Sequence, residues 1–346
     1  MLIRLLTGLL FLFSATVQAA PNGALLYEEH CAACHGENGQ GGVGVPLALA
    51  DFQANVDDTF LFKSIRNGRP GRIMPAFQSL SDYQVQALVG YIRSWQPKGV
   101  KPLQRIVVHK GDAVRGKALF AKKCSRCHGD NGQGGHGTGV TMSRPRDLPI
   151  IAPALNNIGF LKAASDAVIK ATLVNGRKDT PMDSFLESGV MDEQAIDDVV
   201  AYIRSFEQDP IHWQPAEDEP PILEAESSYS LEETVKNVQR AAIGRNFRII
   251  RIQKLENGLY PEDEQNDKQV IIYFCNFNFV NRALSLDPRV GMFMPCRITA
   301  VEHDGVVKLM SINPRYMSRL YNNSEIDEAC HEMHDLYESI LDEATL

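Results

Sequence analysis

Two five-residue motifs carry the chemistry of this chain. Cys31-Ala32-Ala33-Cys34-His35 and Cys124-Ser125-Arg126-Cys127-His128 both read C-x-x-C-H. Two thiols three positions apart lie about one helical turn from each other, so each can add to one vinyl group of the same haem. The histidine that follows then stands under the iron as a proximal ligand. A zinc knuckle would combine two C-x-x-C units into one tetrahedral site and would not need a histidine behind each. A redox dithiol would not come twice with a trailing histidine. The pattern predicts two covalently bound haem c groups. Cys31, Cys34, Cys124 and Cys127 hold them, with His35 and His128 on the irons.

The surroundings of the motifs repeat as well. Cys34-His35-Gly36-Glu37-Asn38-Gly39-Gln40-Gly41-Gly42 parallels Cys127-His128-Gly129-Asp130-Asn131-Gly132-Gln133-Gly134-Gly135. Asn67-Gly68-Arg69 parallels Asn175-Gly176-Arg177, and a methionine lies five residues beyond each arginine, at Met74 and Met182. The motifs are 93 residues apart and the methionines 108, so the second copy carries extra residues in between, placed around Gly137 to Ile150 as a surface loop. A lone methionine is more often core filler. Equal offsets from Asn-Gly-Arg, an adjacent proline and a following helix instead nominate Met74 and Met182 as sixth iron ligands. Thioether ligation favours ferrous iron and raises the reduction potential. The competitors are Met142, too soon after His128 for a chain that must wrap the haem edge; Met191, expected to pack at the start of a helix; and His109 and His136, ranked below the methionines.

Helices must position these groups. Ser81 with Gln84 offers a capping box and Leu80 with Val85 a staple; Val85, Leu88, Val89, Ile92 and Trp95 then recur at helical spacing. Ala195, Ile196, Val199, Val200, Ile203 and Phe206 do the same in the second copy, and Asp112 is placed to cap the helix leading to Cys124. On these residues, 22–97 and 111–208 each resemble a class I cytochrome c domain: initial helix, haem motif, Pro-Leu segment, late methionine, closing helix. The resemblance implies two all-α domains. It also implies that a proline carbonyl, from Pro46 or Pro153, accepts a hydrogen bond from the proximal histidine and fixes its tautomer. The linker from Pro97 to Lys110 is short, so the two domains are expected to pack together.

Residues 1–19 read as a secretory signal peptide. Arg4 precedes an apolar run from Leu5 to Phe13, and Val17-Gln18-Ala19 is a small-x-small cleavage pattern. The apolar run is short for a bilayer crossing of about 20 residues, which favours cleavage over an anchor. The chain is thus expected to be exported to the periplasm without stable membrane insertion. Its 346 residues suit two or three domains, its 44% hydrophobic and 23% charged residues are those of a folded protein, and its net charge of -8 argues against general attraction to nucleic acid.

After Phe206 the composition shifts. An acidic, proline-rich linker at 214–221 leads to Ser230-Leu231-Glu232-Glu233, a capping box opening a helix that is expected to stop at Gly244. Phe247 to Leu255 and Gln269 to Phe277 read as strands. Asp304-Gly305 turns Cys296–Val301 back on Val306–Ile312, and Ser324 is expected to cap a last helix. This predicts an α+β domain, helix first and last, around a small antiparallel sheet. From the Ser-Leu-Glu-Glu-Thr start at 230–234, Met294-Pro295-Cys296-Arg297, Asp304-Gly305 and Ile312-Asn313-Pro314, residues 223–346 resemble the bacterial family called domain of unknown function 302. That resemblance implies a fold and dimerisation, and no activity. Cys275 and Cys296 are open to a disulfide if their side chains face each other. Cys330, His331 and His334 have metal-ligand spacing on a helix, against the plainer reading that Cys330 packs inward and His331 faces water.

The functional expectation is an exported dihaem electron carrier between a donor and an acceptor redox protein. Two protein ligands on each iron leave no position for substrate. Arg115, Lys117, Lys122, Lys123 and Arg126 surround the second motif, either as a docking patch for an acidic partner or as the solvated side of a helix. The alternatives are a dihaem peroxidase or sulfur-compound dehydrogenase, in which one iron reacts with substrate, and a redox-linked binding or sensory protein that uses its last domain for recognition.

Overall fold

The computed structural model describes residues 20–42, 44–104, 106–135, 152–178, 180–213 and 219–346. The expected signal peptide, the inserted loop with His136 and Met142, and most of the acidic linker lie outside these residues. Among the described residues no helix is long and apolar enough to cross a membrane.

The first copy comprises α1 (Gly23–His30), α2 (Ala32–His35), α3 (Ala50–Asn55), α4 (Asp58–Asn67) and α5 (Asp82–Arg93). Asn22 and Asp57 accept N–H bonds at the starts of α1 and α4, and the Ser81–Gln84 capping box of α5 is fully formed. The second copy repeats the series as α6 (Ala113–Lys123), α7 (Ser125–His128), α8 (Ile158–Ala163), α9 (Asp166–Asn175) and α10 (Glu193–Ser205), with Asp112, Asn157, Ser165 and Asp192 capping α6, α8, α9 and α10.

In each copy the first helix crosses the last, α1 on α5 and α6 on α10. The crossings are close enough to require glycine. A Cβ on Gly23 would lie 2.1 Å from the Ala87 carbonyl oxygen, and one on Gly116 1.9 Å from that of Asp198. Three aromatic rings lock each crossing: Tyr27, Tyr91 and Trp95 in the first, Phe120, Tyr202 and Phe206 in the second. Because the haem motif follows directly on the first helix, this crossing fixes where the thiols and the imidazole stand.

The two copies dock reciprocally, as the short linker predicts. Helix α4 packs on α8, and α3 on α9. Asn55 donates to the Gly176 carbonyl (2.9 Å) and accepts from Asn175 (2.8 Å), while Asn157 donates to the Pro70 carbonyl (2.8 Å). Arg69 of the first copy stacks on Phe160 of the second, and Arg177 of the second on Phe52 of the first. One continuous apolar cluster runs through both copies.

The C-terminal domain comprises β1 (Ile222–Ser227), α11 (Leu231–Gly244), β2 (Arg248–Lys254), β3 (Gln269–Cys275), α12 (Phe277–Leu286), β4 (Cys296–His303), β5 (Val306–Ile312), α13 (Pro314–Ser318) and α14 (Ser324–Thr345). The sheet is antiparallel in the order β1-β5-β4-β3-β2. Helices α11 and α14 pack on one face, burying Val238, Ala241, Phe274, Ile298, Leu309 and Ile340. The Asp304-Gly305 hairpin forms as expected, with φ +49° and +80°.

Four details depart from the sequence reading. The domain begins with a strand rather than a helix; β1 is a short edge strand on which Leu223 alone is buried, too little for a pattern. Helix α11 includes Gly244, and the left-handed residue beyond it is Asn246, φ +61°. Phe277 opens α12 instead of extending β3. Asn323, not Ser324, caps α14.

Cys275 and Cys296 are free. Cys296 stands opposite Phe274 and so shares its face, while Cys275, the next residue, points to the other face of the sheet. On α14, His334 is buried and hydrogen-bonded to the Asn313 side chain (2.8 Å), whereas the His331 side chain is 41% exposed. Cys330 is half-buried, so of the plainer reading the structure shows the exposure of His331.

A buried ion pair holds the second copy to its linker. Lys170 Nζ lies 2.9 Å from Asp197 and donates to the Val107 carbonyl (2.5 Å), with both side chains at most 3% exposed. Removing one partner strands the other charge. Lys170→Met is expected to destabilise the holoprotein by about 3 kcal/mol in guanidinium unfolding followed by circular dichroism; an unchanged midpoint would show the pair to be incidental.

Candidate functional site

Each attachment motif folds into a short helix, α2 or α7, that ends on a left-handed glycine, Gly36 (φ +80°) or Gly129 (φ +79°). In the second copy both thiols and the imidazole line one cavity. Burial pushes the Cys31 and Cys124 thiols up to about 11, with the neighbouring thiol adding to the effect. Cys127 is exposed.

The His128 imidazole is buried and that of His35 half-buried, and desolvation holds the pKa of both below the ordinary histidine value. His128 Nδ1 lies 2.9 Å from the Pro153 carbonyl oxygen. His35 Nδ1 lies 2.8 Å from the carbonyl of Val45, not Pro46. The shift by one residue follows from Gly44, whose N–H donates to the Cys34 carbonyl (2.8 Å) and whose Cα packs on the imidazole, so that the next carbonyl hangs over Nδ1. A carbonyl only accepts, so Nδ1 carries the proton in both rings. Nε2 is left with its lone pair free, the form that ligates iron.

The methionines occupy matching loops. The Arg69 N–H donates to the Met74 carbonyl (2.9 Å) and the Arg177 N–H to the Met182 carbonyl (2.7 Å). The loop then rejoins the helix before it, through Phe77 N–H to Ile65 and Phe185 N–H to Leu173, both 3.0 Å. The Asn-Gly-Arg turn thus ties each methionine in place.

A cavity of about 380 Å³ brings Cys124, Cys127, His128 and Met182 together, within the size range of cofactor sites. Its far wall comes from the first copy: Val45, Pro46, Phe52 and Phe60. The donor set suits a tetrapyrrole, with two thiols, one imidazole and one thioether among apolar side chains. Arg177 adds an independent sign. It lines this cavity with its Nε buried and without a hydrogen-bond partner, and burial lowers its pKa. A buried guanidinium with an unused N–H fits a haem carboxylate. Met191 is buried near the start of α10 and His109 is exposed on the linker. The sequence reading did not single out Gly23, Gly116 or Arg177 for a role at the site. The two glycines share one offset, each eight residues before its first motif cysteine.

Residues 18–92 match the family described as cytochrome C oxidase, cbb3-type, subunit III, residues 113–207 match cytochrome c, and residues 223–344 match domain of unknown function DUF302. The cbb3-type cytochrome c oxidase subunit CcoP of Azospirillum sp. (strain B510) is 28% identical over 173 residues, 46% of this chain and 53% of that protein. Subunit FixP of Bradyrhizobium sp. (strain ORS 278) is 27% identical over 172 residues, 46% and 52% of the two chains. The chain thus spans about half the length of these curated relatives. The crystal structure of an uncharacterized conserved DUF302 protein from Bacillus stearothermophilus aligns over 36% of this chain and 98% of that one, at 19% identity and a TM-score of 0.33.

Arg177→Met removes a buried cation from the second cleft. A nearby positive charge favours the reduced iron, so the substitution is expected to lower the potential of the second haem by roughly 60 mV, one tenfold step for a single electron. Spectroelectrochemical titration of the holoprotein checks this, and an unshifted pair of potentials would place the guanidinium elsewhere in function. The chain carries two c-type cytochrome domains, each with a covalently bound haem c, followed by a C-terminal domain of unknown function 302.

Proposed function

We propose that this protein is an exported electron carrier that passes single electrons through two adjacent His/Met haems. Cys31 and Cys34 attach the first, with His35 and Met74 on its iron; Cys124, Cys127, His128 and Met182 do the same for the second. The observation that carries the reading is the shared cavity. The wall facing the second donor set comes from the first copy and includes Val45, the acceptor of the His35 bond. That wall supports a relay in which the two haems would be neighbours across an apolar partition.

The haem supplies one-electron chemistry when bound. The chain orients each imidazole through a carbonyl, supplies a soft sulfur that favours ferrous iron, and walls the second cleft with apolar side chains. A carrier gains from having both axial positions occupied by protein, because little then needs to move when the electron arrives. The relatives' names as cbb3-type oxidase subunits make a respiratory electron acceptor the expected partner. Residues 1–19 address the chain to the periplasm.

Lys117, Lys122, Lys123 and Arg126 are exposed around the second attachment motif, while Arg115 is engaged with Asp198 (2.8 Å). The four exposed cations form the docking patch for an acidic redox partner, and electrons leave or enter by the second haem.

Two outcomes follow. Met182→Ala should remove about half of the methionine-to-ferric-iron charge-transfer absorption, lower one potential and open one iron to cyanide, with Met74→Ala doing the same at the other haem. A wild-type protein that binds cyanide or turns over peroxide rapidly would instead favour the catalytic alternative. The double variant Lys122→Glu, Lys123→Glu should slow reduction by an acidic donor protein about tenfold at low salt, with the difference fading as ionic strength rises; stopped-flow kinetics read this directly.

A further inference from the structure

The C-terminal domain does not stand apart from the haem domains. It reaches the first copy at the loop that carries Met74. Asn322 Nδ2 lies 3.2 Å from the Arg69 carbonyl oxygen, 2.5 Å from that of Arg72 and 2.9 Å from that of Met74. Beside it, Ser324 donates to the Gly71 carbonyl from both its N–H (2.9 Å) and its hydroxyl (3.1 Å), and Glu325 pairs with Arg72 at 3.6 Å. One short segment of the third domain thus ties four carbonyls of one methionine loop.

The second copy ties its own loop. There Thr180 stands where the first copy has Arg72. Its hydroxyl donates to the Arg177 carbonyl (2.7 Å) and accepts the Met182 N–H (3.1 Å). The Arg72 N–H donates to the Arg69 carbonyl (2.8 Å) as the Thr180 N–H does to that of Arg177 (3.1 Å), but arginine cannot add the short side-chain return, and Asn322 Nδ2 reaches the Arg69 carbonyl from outside (3.2 Å). The amide of a distant domain adds the side-chain donor that a hydroxyl within the loop supplies in the second copy.

The segment is built to hold this position. Asn322 adopts a left-handed backbone, φ +47°, which costs energy in any residue but glycine and is tolerated best by asparagine. Its neighbours Tyr321 and Asn323 are buried, at 2% and 5% exposure. Arg289, paired with the fully buried Asp287 at 2.6 Å, donates to the Tyr321 carbonyl at 2.8 Å.

We propose that the C-terminal domain is a cap on the first haem site, and that Asn322 is the positioning residue that keeps Met74 on the iron. The inference rests on the reading of Met74 as that iron's sixth ligand. It assigns the third domain a task inside the molecule: retention of one of the two axial sulfurs. The first haem then depends on the third domain for its ligand set, and the second haem does not.

The test uses the full-length holoprotein with Asn322→Gly, which keeps the left-handed turn and removes the amide, and Asn322→Asp, which sets a carboxylate against the three carbonyls. Cyanide binding to the two ferric haems is followed by stopped flow, with the spectra of Met74→Ala and Met182→Ala identifying which iron reacts. Both Asn322 variants should bind cyanide at the first haem about tenfold faster than wild type, the population change expected from losing roughly one net hydrogen bond. Binding at the second haem should be unchanged. Wild-type rates at the first haem in both variants would overturn the proposal. Equal acceleration at both haems would also overturn it, by reducing Asn322 to general stability. If Met74→Ala fails to open the first iron, the ligand assignment falls, and the proposal with it.

Discussion

The bond from each proximal imidazole to a backbone carbonyl is the constraint on which the haem sites depend. A buried histidine with nothing to hold its Nδ1 proton could present either nitrogen to the cleft. With the Val45 or Pro153 carbonyl in place, it presents Nε2. The carbonyl is backbone, so its position is set by the chain path and not by any side chain. That path is set in turn by the left-handed glycine after each motif and by the helix crossing at Gly23 or Gly116. A methyl group at the crossing would push the first helix away from the last and shift two thiols and a ring together.

The same logic explains why two copies that share their motifs differ in detail. The second copy carries a long insertion ahead of Pro153, and its ring is met by the proline itself. The first turns directly through Gly44 and offers the residue before. The methionine loops diverge likewise, closed by Thr180 in one copy and by a residue of another domain in the other. What the duplication preserved is the set of donors; the means of holding them was free to change.

Much of this was legible in the residues. The C-x-x-C-H motifs, the equal spacing of Asn-Gly-Arg and methionine, and the caps at Ser81, Asp112 and Ser230 lie in local sequence, where type and spacing decide geometry. The strand and turn around Asp304-Gly305 are local too. What could not be read depends on non-local placement. Leu223 gives β1 a single buried side chain, so no alternation marks it. The facing of Cys275 and Cys296 depends on a cross-strand register. The isolation of Arg177 Nε, and the reach of Asn322 across some 250 positions to the Met74 loop, exist only once the domains are docked. The repeat nominates Met74 but not the remote segment that meets its loop.

The chamber between the copies has one further consequence, for the order of biogenesis. Its walls come from both repeats, and Arg69 and Arg177 lie crosswise over the aromatic rings of the opposite repeat. Were haem attached before the repeats close, its contacts with both walls would add to the free energy that joins them.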